Sequence, residues 1–176
     1  MTENPTFEAA LEYASKGIHV FPLHSTDAVG ACSCGKADCG SAGKHPRTLH
    51  GHRDATTDPE QIRRWWSQWP DANVGIATGP SGIVVYDIDD KDDRHGTDAW
   101  RALVEKFGPD LEDTTIVDTP SGGFHIYYRA AGRRIASKNK AFGPGIDLKA
   151  QGGYVVAPPS MIAGRRYAFR ERGRRG

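Results

Sequence analysis

Residues 82–89 read Gly-Ile-Val-Val-Tyr-Asp-Ile-Asp, an apolar run that ends in two aspartates two positions apart. A short run of β-branched and aromatic residues predicts a β-strand. Side chains two positions apart on a strand point to the same face, so Asp87 and Asp89 are expected to lie side by side. Two such carboxylates can share one or two hard cations, such as Mg²⁺ or Mn²⁺. The same pattern also occurs where a loop simply begins, so the pair alone does not establish a site.

The elements on either side of this strand do not follow a regular alternation. Apolar residues at helical spacing predict three helices, at residues 5–16, 58–69 and 97–107. Short apolar runs predict the other strands, at 18–23, 74–78, 115–119, 124–129, 146–149, 154–157 and 167–169. The turn at 79–82 predicts a hairpin between strands 74–78 and 82–89. This order predicts an α+β fold with a largely antiparallel sheet.

Length and composition exclude several classes of protein. The 176 residues are 38% hydrophobic, which is enough for a core and argues against general disorder. The apolar runs are only a few residues long, so no membrane-spanning helix is predicted. The polar residues 1–7 predict no secretory signal. We therefore expect one cytoplasmic domain covering residues 1–176 and no contact with a membrane.

Charge is unevenly distributed, although 23 Lys and Arg nearly balance 22 Asp and Glu. Acidic residues concentrate in 87–93, and basic residues concentrate in 129–149 and in a tail at about 165–176. An acidic centre beside a basic segment suits a metal site next to a polyanion-binding surface, and ordinary solvated charge is the alternative. The candidate contacts to a nucleic-acid backbone are Arg129, Arg133, Arg134, Lys138 and Lys140.

Two further segments carry residues suited to phosphate or metal chemistry. In 121–125 the sequence is Ser-Gly-Gly-Phe-His, in which Gly122 and Gly123 allow backbone N–H groups to approach a phosphate. His125 would then donate to a triphosphate oxygen, and a glycine hairpin with a buried structural histidine is the alternative. On the short strand 146–149, Asp147 could complete the metal site, and Lys149 on the same face could meet a phosphate.

A cysteine cluster falls in the long loop predicted at about 24–56. Three cysteines are an odd number, which argues against a disulfide framework. Three soft ligands and a histidine within fourteen residues suit a tetrahedral structural zinc site, with free surface thiols as the alternative. The four predicted ligands are Cys32, Cys34, Cys39 and His45, with His24 in reserve.

Together these segments resemble the bifunctional DNA primase/polymerase (prim-pol) domain of the archaeo-eukaryotic primase superfamily, found in phage and plasmid replication proteins. The resemblance covers about residues 8–170. It rests on the aspartate pair 87 and 89, on 121–125, on Asp147 ahead of 152–160, and on the stretches 43–47 and 69–75.

The resemblance implies a catalytic sheet like that of an RNA-recognition motif (RRM), joined to a small N-terminal α/β unit. It implies that Asp87, Asp89 and Asp147 bind the catalytic metals, and that His125 and Ser121 contact the triphosphate of the incoming nucleotide. The resemblance implies Arg as readily as Lys at position 149, so it defines the role of Lys149 less closely than the roles of the other site residues. Relatives commonly carry a helicase downstream, so this chain is expected to be the synthesis module of a longer protein.

The function predicted from the sequence is that of a DNA-dependent primase/polymerase. It would use Mg²⁺ or Mn²⁺ to join NTPs or dNTPs on a single-stranded DNA template and primer, with zinc as a structural ion. Two alternatives stay open: a noncatalytic zinc-containing module that binds single-stranded nucleic acid, and a metal-dependent nuclease. Three carboxylates gathered together repel one another, so without metal the cluster is expected to destabilise the fold locally.

Overall fold

A computed structural model describes residues 3–171 of the chain. The three helices are α1 (Pro5–Ser15), α2 (Pro59–Gln68) and α3 (Gly96–Phe107). The strands are β1 (Val20–Leu23), β2 (Asn73–Ala77), β3 (Ile83–Ile88), β4 (Thr115–Asp118), β5 (Phe124–Arg129), β6 (Ile146–Lys149), β7 (Tyr154–Ala157), β8 (Met161–Ile162), β9 (Arg165–Arg166) and β10 (Ala168–Phe169). Short 3₁₀ turns occur at Gly51–Asp54, Lys91–Asp93 and Pro109–Glu112. Within residues 3–171 no helix is long and apolar enough to cross a membrane.

Helix starts follow the capping signals of the sequence. The Asn4 side chain accepts a hydrogen bond from the backbone of Phe7 at the start of α1. At the start of α2 the Asp58 carboxylate accepts one from the backbone of Glu60. A proline occupies the first turn of both helices, where its missing N–H costs nothing. These local interactions explain why the predicted starts of both helices agree with the structure.

The larger sheet has five strands in the order β10-β4-β5-β3-β6, and each neighbouring pair is antiparallel. One face of this sheet packs against α3 through a buried cluster that includes Ile88, Trp100 and Ile126. Because side chains alternate along a strand, Asp87 and His125 belong to the opposite face. The α+β fold with antiparallel sheets that the sequence predicts is therefore confirmed.

The smaller sheet has three strands in the order β1-β2-β7, and both pairs are antiparallel. Its buried residues share one hydrophobic cluster with α1 and α2 and with Val85, Val117 and Tyr127 of the larger sheet. This cluster therefore joins the smaller sheet to the face of the larger sheet that carries Asp87.

The predicted hairpin between strands 74–78 and 82–89 is wrong. The turn itself forms, with the Gly82 N–H donating to the Gly79 carbonyl at 3.0 Å, but β2 and β3 enter different sheets. Strand β2 is buried along its whole length and pairs with β1 and β7 instead. The turn residues constrain only the reversal of the chain, whereas pairing depends on strands that are distant in sequence.

The ends of the chain and the long loop differ in detail from the prediction. The strand predicted at 167–169 is shortened to β10, and residues 165–166 form β9. Residues 24–56 contain one 3₁₀ turn and three isolated bridges, as expected for a loop without helices or strands of its own. Residues 165–171 of the predicted basic tail are described, and residues 172–176 lie outside the described part of the chain.

Candidate active site and metal-binding cluster

Asp87 lies in the middle of the larger sheet, between two residues of the predicted site. In the antiparallel ladders it is the direct partner of His125 on β5 and of Asp147 on β6. Directly opposite residues in antiparallel strands have Cβ atoms about 4.5–5.5 Å apart. The register therefore brings three predicted site residues, distant in sequence, into one row across the sheet.

The charge of Asp87 is compensated by nearby cations. Its Oδ1 lies 3.4 Å from Nε2 of His125, whose side chain is only 6% exposed. Burial raises the pKa of Asp87, but the hydrogen bond and charge of His125, followed by the charges of Lys149 and Lys44, lower it further than burial raises it. The net pKa lies below its usual range. At Asp87, nearby cations therefore outweigh the repulsion expected among the three carboxylates, and the expected local destabilisation without metal does not apply to this residue.

Asp89 follows the last residue of β3, where glycines crowd around its backbone. A Cβ added to Gly145 would lie 2.5 Å from the Asp89 carbonyl oxygen, and one added to Gly96 would lie 2.7 Å from the same atom. A Cβ on Gly123 would lie 2.1 Å from the carbonyl oxygen of Ile88. Three segments can therefore approach this end of β3 only because these positions lack side chains.

The side-chain contacts of Asp89 are local. Its Oδ1 accepts a hydrogen bond from the backbone of Lys91 at 3.0 Å, and its Oδ2 lies 3.4 Å from Nη1 of Arg94. These contacts leave its carboxylate on the wall of a cavity, together with that of Asp87. The two aspartates of the sequence motif therefore open into the same space.

Asp147 is held by its own neighbours. Its Oδ2 lies 3.1 Å from Nζ of Lys149, and its Oδ1 accepts a hydrogen bond from the backbone of Lys140 at 2.9 Å. Lys149 lines the cavity with Asp87 and Asp89, whereas Asp147 does not. Lys149 is thus placed both to pair with a carboxylate and to face a ligand in the cavity.

The glycine turn between β4 and β5 closes one side of the site. The Gly122 N–H donates to the Thr119 carbonyl at 3.1 Å, and the Thr119 N–H donates to the Gly123 carbonyl at 3.0 Å. The φ of Gly122 is +92°, a conformation that glycine adopts without strain. The hydroxyl groups of Ser121 and Thr119 lie 3.1 Å apart, and both residues line the cavity.

The cavity has a volume of about 420 Å³ and lies between the larger sheet, the glycine turn and parts of the chain to which the sequence assigned no site role. The residues that sequence reasoning missed include Lys44 from the long loop, Tyr154 from β7 and the buried Tyr167. Burial, with the charges of Asp87 and Asp89, raises the pKa of Tyr167, so its phenol stays neutral beside the carboxylates. The Nδ1 atom of His125 is buried without a hydrogen-bond partner among residues 3–171.

The predicted backbone-binding cations lie on the surface, and none of them lines the cavity. Lys140 precedes the loop that leads to β6, and Lys138 forms an isolated bridge with Leu148. Two of the arginines line a separate small cavity at the start of β3, where Arg129 pairs with Ile83. All five are exposed: Arg129, Arg133, Arg134, Lys138 and Lys140.

The cysteine cluster assembles within the long loop. One donor atom from each of its four members lies within 4.8 Å of the others, the only such group of His, Cys, Asp or Glu among residues 3–171. The members are Cys32, Cys34, Cys39 and His45. His24, the reserve ligand, stacks on His45 with ring centroids 4.3 Å apart, and its Nδ1 lies 2.9 Å from the Ser33 hydroxyl.

The electrostatics of Cys32 favour a thiolate. Burial raises its pKa, but hydrogen bonds from the backbone N–H groups of Cys34 and Gly43, with His45, lower it to about 6. Its Sγ lies 3.4 Å from Nε2 of His45 and 3.5 Å from the backbone N of Gly43. A thiolate among two more thiols and an imidazole is the donor set of a structural zinc site.

Comparison with known protein families gives a match over most of the chain. The family model described as the N-terminal domain of bifunctional DNA primases/polymerases matches residues 10–175. No curated protein matches the chain. The family match covers both sheets, the cavity and the cysteine cluster.

Proposed function

Because the chain belongs to the bifunctional DNA primase/polymerase family, we propose that it synthesises and extends primers on a single-stranded DNA template. The observation that carries this proposal is the cavity in which Asp87 and Asp89 face Lys44, Lys149 and the glycine turn. Carboxylates beside cations and a glycine turn suit a nucleoside triphosphate with its metal ions. A replication enzyme of phage or plasmid origin, acting in the cytoplasm with a helicase downstream, is the setting we propose.

The proposed reaction is nucleotidyl transfer. The 3′-oxygen of the primer bonds to the α-phosphorus of an NTP or dNTP, and the bond from that phosphorus to the bridging oxygen breaks. Pyrophosphate leaves, and the proton of the 3′-hydroxyl passes to water. The chain's contribution is to position the two reactants and to balance charge, so no protein nucleophile is required.

Asp87 and Asp89, with Asp147 as the third carboxylate, would hold Mg²⁺ or Mn²⁺. The fit is chemical: carboxylate oxygens are the ligands that these ions prefer, and two of the three carboxylates open into the cavity. Bound ions supply charge stabilisation at the attacking and leaving oxygens. His125, Ser121 and Lys149 line the cavity where the triphosphate would lie and would contact it, while Gly122 and Gly123 would shape the turn beside that space.

The folding pattern supports an RRM-like catalytic sheet. The chain order β3, α3, β4, β5, β6 follows the split β-α-β-β-α-β pattern, with the irregular residues 130–145 in place of the second helix. The smaller sheet with α1 and α2 corresponds to the N-terminal α/β unit. Both sheets share one hydrophobic cluster, which supports a single catalytic domain over residues 1–176.

The remaining site residues have separate proposed roles. The cysteine cluster would hold a structural zinc ion, because four protein ligands leave no open position for catalysis. The exposed cations of the basic segment would contact the phosphate backbone of template and primer. Those cations are Arg129, Arg133, Arg134, Lys138 and Lys140.

Labelled nucleotides and a single-stranded template test this function. The protein is incubated with Mg²⁺ or Mn²⁺ and labelled NTPs or dNTPs, with and without an annealed primer. We expect metal-dependent incorporation into products that lengthen with time and that are absent with a chelator. Shortening of the DNA instead would identify a nuclease. DNA binding without any metal-dependent catalysis would identify a passive binding module, and either result contradicts the proposal.

A further inference from the structure

We infer that Lys44, held in place by the cysteine cluster, binds the triphosphate in the cavity. This inference rests on the proposed function and adds to it a residue from outside the catalytic sheet. Lys44 lines the cavity with Asp87, Asp89 and Lys149, although it belongs to the long loop that carries the cluster. It directly precedes His45, one of the four cluster residues.

The ammonium group of Lys44 makes no direct ion pair within the described part of the chain, although the charges of Asp87 and Asp89 act on it at longer range. The residue is half-buried, and no hydrogen bond or ion pair of its side chain is found among residues 3–171. Lys149, by contrast, pairs with Asp147 at 3.1 Å. A cation that is partly removed from water without a direct ion pair is unfavourable, so an anion bound in the cavity would stabilise it. A cation that lines a cavity without such a pair is suited to bind an anion there.

The backbone around Lys44 is fixed from both sides. The Tyr154 hydroxyl donates to the Lys44 carbonyl at 3.0 Å, and the Lys44 N–H donates to the Ser41 carbonyl at 2.9 Å. The preceding Gly43 has a φ of +71°, and its N–H lies 3.5 Å from Sγ of Cys32. Asn73 of β2 donates to the Gly43 carbonyl at 3.0 Å. The cluster and the smaller sheet together therefore fix the backbone that places Lys44 at the wall of the cavity.

The ligand is a phosphate group, and its position favours the nucleotide over the DNA backbone. Asp87 and Asp89 line the same cavity, and the metal ions proposed there would bind the triphosphate. The exposed cations proposed to meet the DNA backbone lie on the irregular segment at residues 130–145 and at the end of β5. Lys44 is therefore assigned to the β- or γ-phosphate of the incoming nucleotide.

The test measures binding rather than turnover. Affinities for dATP, dAMP, deoxyadenosine and single-stranded DNA are compared between the wild type and Lys44→Gln, with Lys36→Gln as control. Lys36 is an exposed lysine of the same loop that does not line the cavity. We expect Lys44→Gln to weaken dATP binding about 10-fold or more, because a charge-assisted contact is lost. Binding of deoxyadenosine and of DNA should not change, and Lys36→Gln should match the wild type throughout.

Two results would overturn the assignment. In the first, Lys44→Gln binds dATP as the wild type does. In the second, only DNA binding falls, which would place Lys44 on the DNA backbone. Zinc content and melting temperature are measured on the same samples. Acetylation of lysines in the wild-type protein tests the same assignment without a variant. Bound dATP should protect Lys44 but not Lys36 from acetylation, and absence of protection contradicts the inference.

The role of the cluster is tested by combining variants. Because the cluster positions Lys44, Cys34→Ser should weaken dATP binding in the wild-type background and have little further effect in the Lys44→Gln background. Independent, additive losses would show that the cluster does not act through Lys44. Failure of the proposed function can be distinguished from failure of this inference. A protein that binds dATP through Lys44 but never incorporates it would refute the polymerase activity and leave the role of Lys44 unchanged.

Discussion

Replacing Asp87 with asparagine tests the chemistry and the electrostatics of the site together. Burial raises the pKa of the Asp87 carboxyl, and His125, Lys149 and Lys44 lower it by more. Asparagine keeps the size of the side chain and removes its charge. The variant therefore loses favourable charge interactions, and we expect it to be less stable than the wild type at neutral pH.

The size of the effect follows from the contact with His125, at 3.4 Å. A hydrogen bond to a charged group contributes about 1.5–3 kcal/mol, and relief of the buried charge offsets part of it. We expect a net loss of about 1–2 kcal/mol in the free energy of unfolding, which lowers the melting temperature by about 2–8 °C in a domain of this size.

The pH dependence has a definite sign. Because the pKa of Asp87 is lowered in the folded state, its stabilising contribution is present above the unfolded pKa of about 3.9. The contribution is lost as the pH falls through the folded pKa. The difference in melting temperature between the wild type and Asp87→Asn should therefore be present at pH 7 and shrink as the pH falls below about 4.

Primer extension is measured on the same protein samples. Loss of a metal-holding carboxylate should reduce nucleotide incorporation about 100-fold or more, while binding of single-stranded DNA largely survives. Asp92→Asn is the matched control, because Asp92 belongs to the same acidic run, its side chain is 83% exposed, and it does not line the cavity. A folded Asp87→Asn protein that extends primers near the wild-type rate, or that melts above the wild type at neutral pH, would refute this reasoning.

Three further outcomes are expected. Elemental analysis of protein purified without chelator should find one zinc per chain, and Cys34→Ser should lose it and melt at a lower temperature; zinc-free, folded and active wild type would contradict this. His125→Ala should weaken nucleotide binding more than DNA binding, as titration of both ligands into the same sample would establish. Asp71→Asn should lower the melting temperature at neutral pH, because the Ser25 hydroxyl and the charge of Arg47 outweigh burial and lower the pKa of Asp71. Well below about pH 4 the difference from the wild type should disappear.

Features of the fold that depend on neighbouring residues could be predicted from the sequence. Asn4 and Asp58 start α1 and α2 because the capping side chain and the capped backbone lie within three residues of each other. The partners of β2 could not be predicted, because β1 and β7 come from opposite ends of the chain. Local pattern identified the strands except the two-residue β8 and β9, but not the sheet that each strand joins.

The residues of the candidate site likewise divide into those that the sequence identifies and those that it does not. Asp87 and Asp89 could be identified from the spacing along one strand, and the structure adds that Asp147 is the direct partner of Asp87. Lys44 lies in the stretch 43–47 that carries the resemblance, but no role could be assigned to it or to Tyr167, because both reach the cavity through the folding of other segments. One signal was available for Lys44: it lies beside His45, a predicted metal ligand, so any loop ordered by metal would also order its side chain.

The two sides of the cavity are therefore held by different means. Asp87 and Asp147 lie on adjacent strands, and the backbone ladder of the larger sheet fixes their spacing. Lys44 lies in a loop and not on a strand, and its position depends on the cysteine cluster and on single hydrogen bonds from the smaller sheet, such as that from Tyr154. Loss of the cluster should accordingly displace Lys44 first and leave Asp87 and Asp147 paired in register. For this reason, loss of the cysteine cluster should reduce nucleotide affinity. It should not change the pairing of the carboxylates.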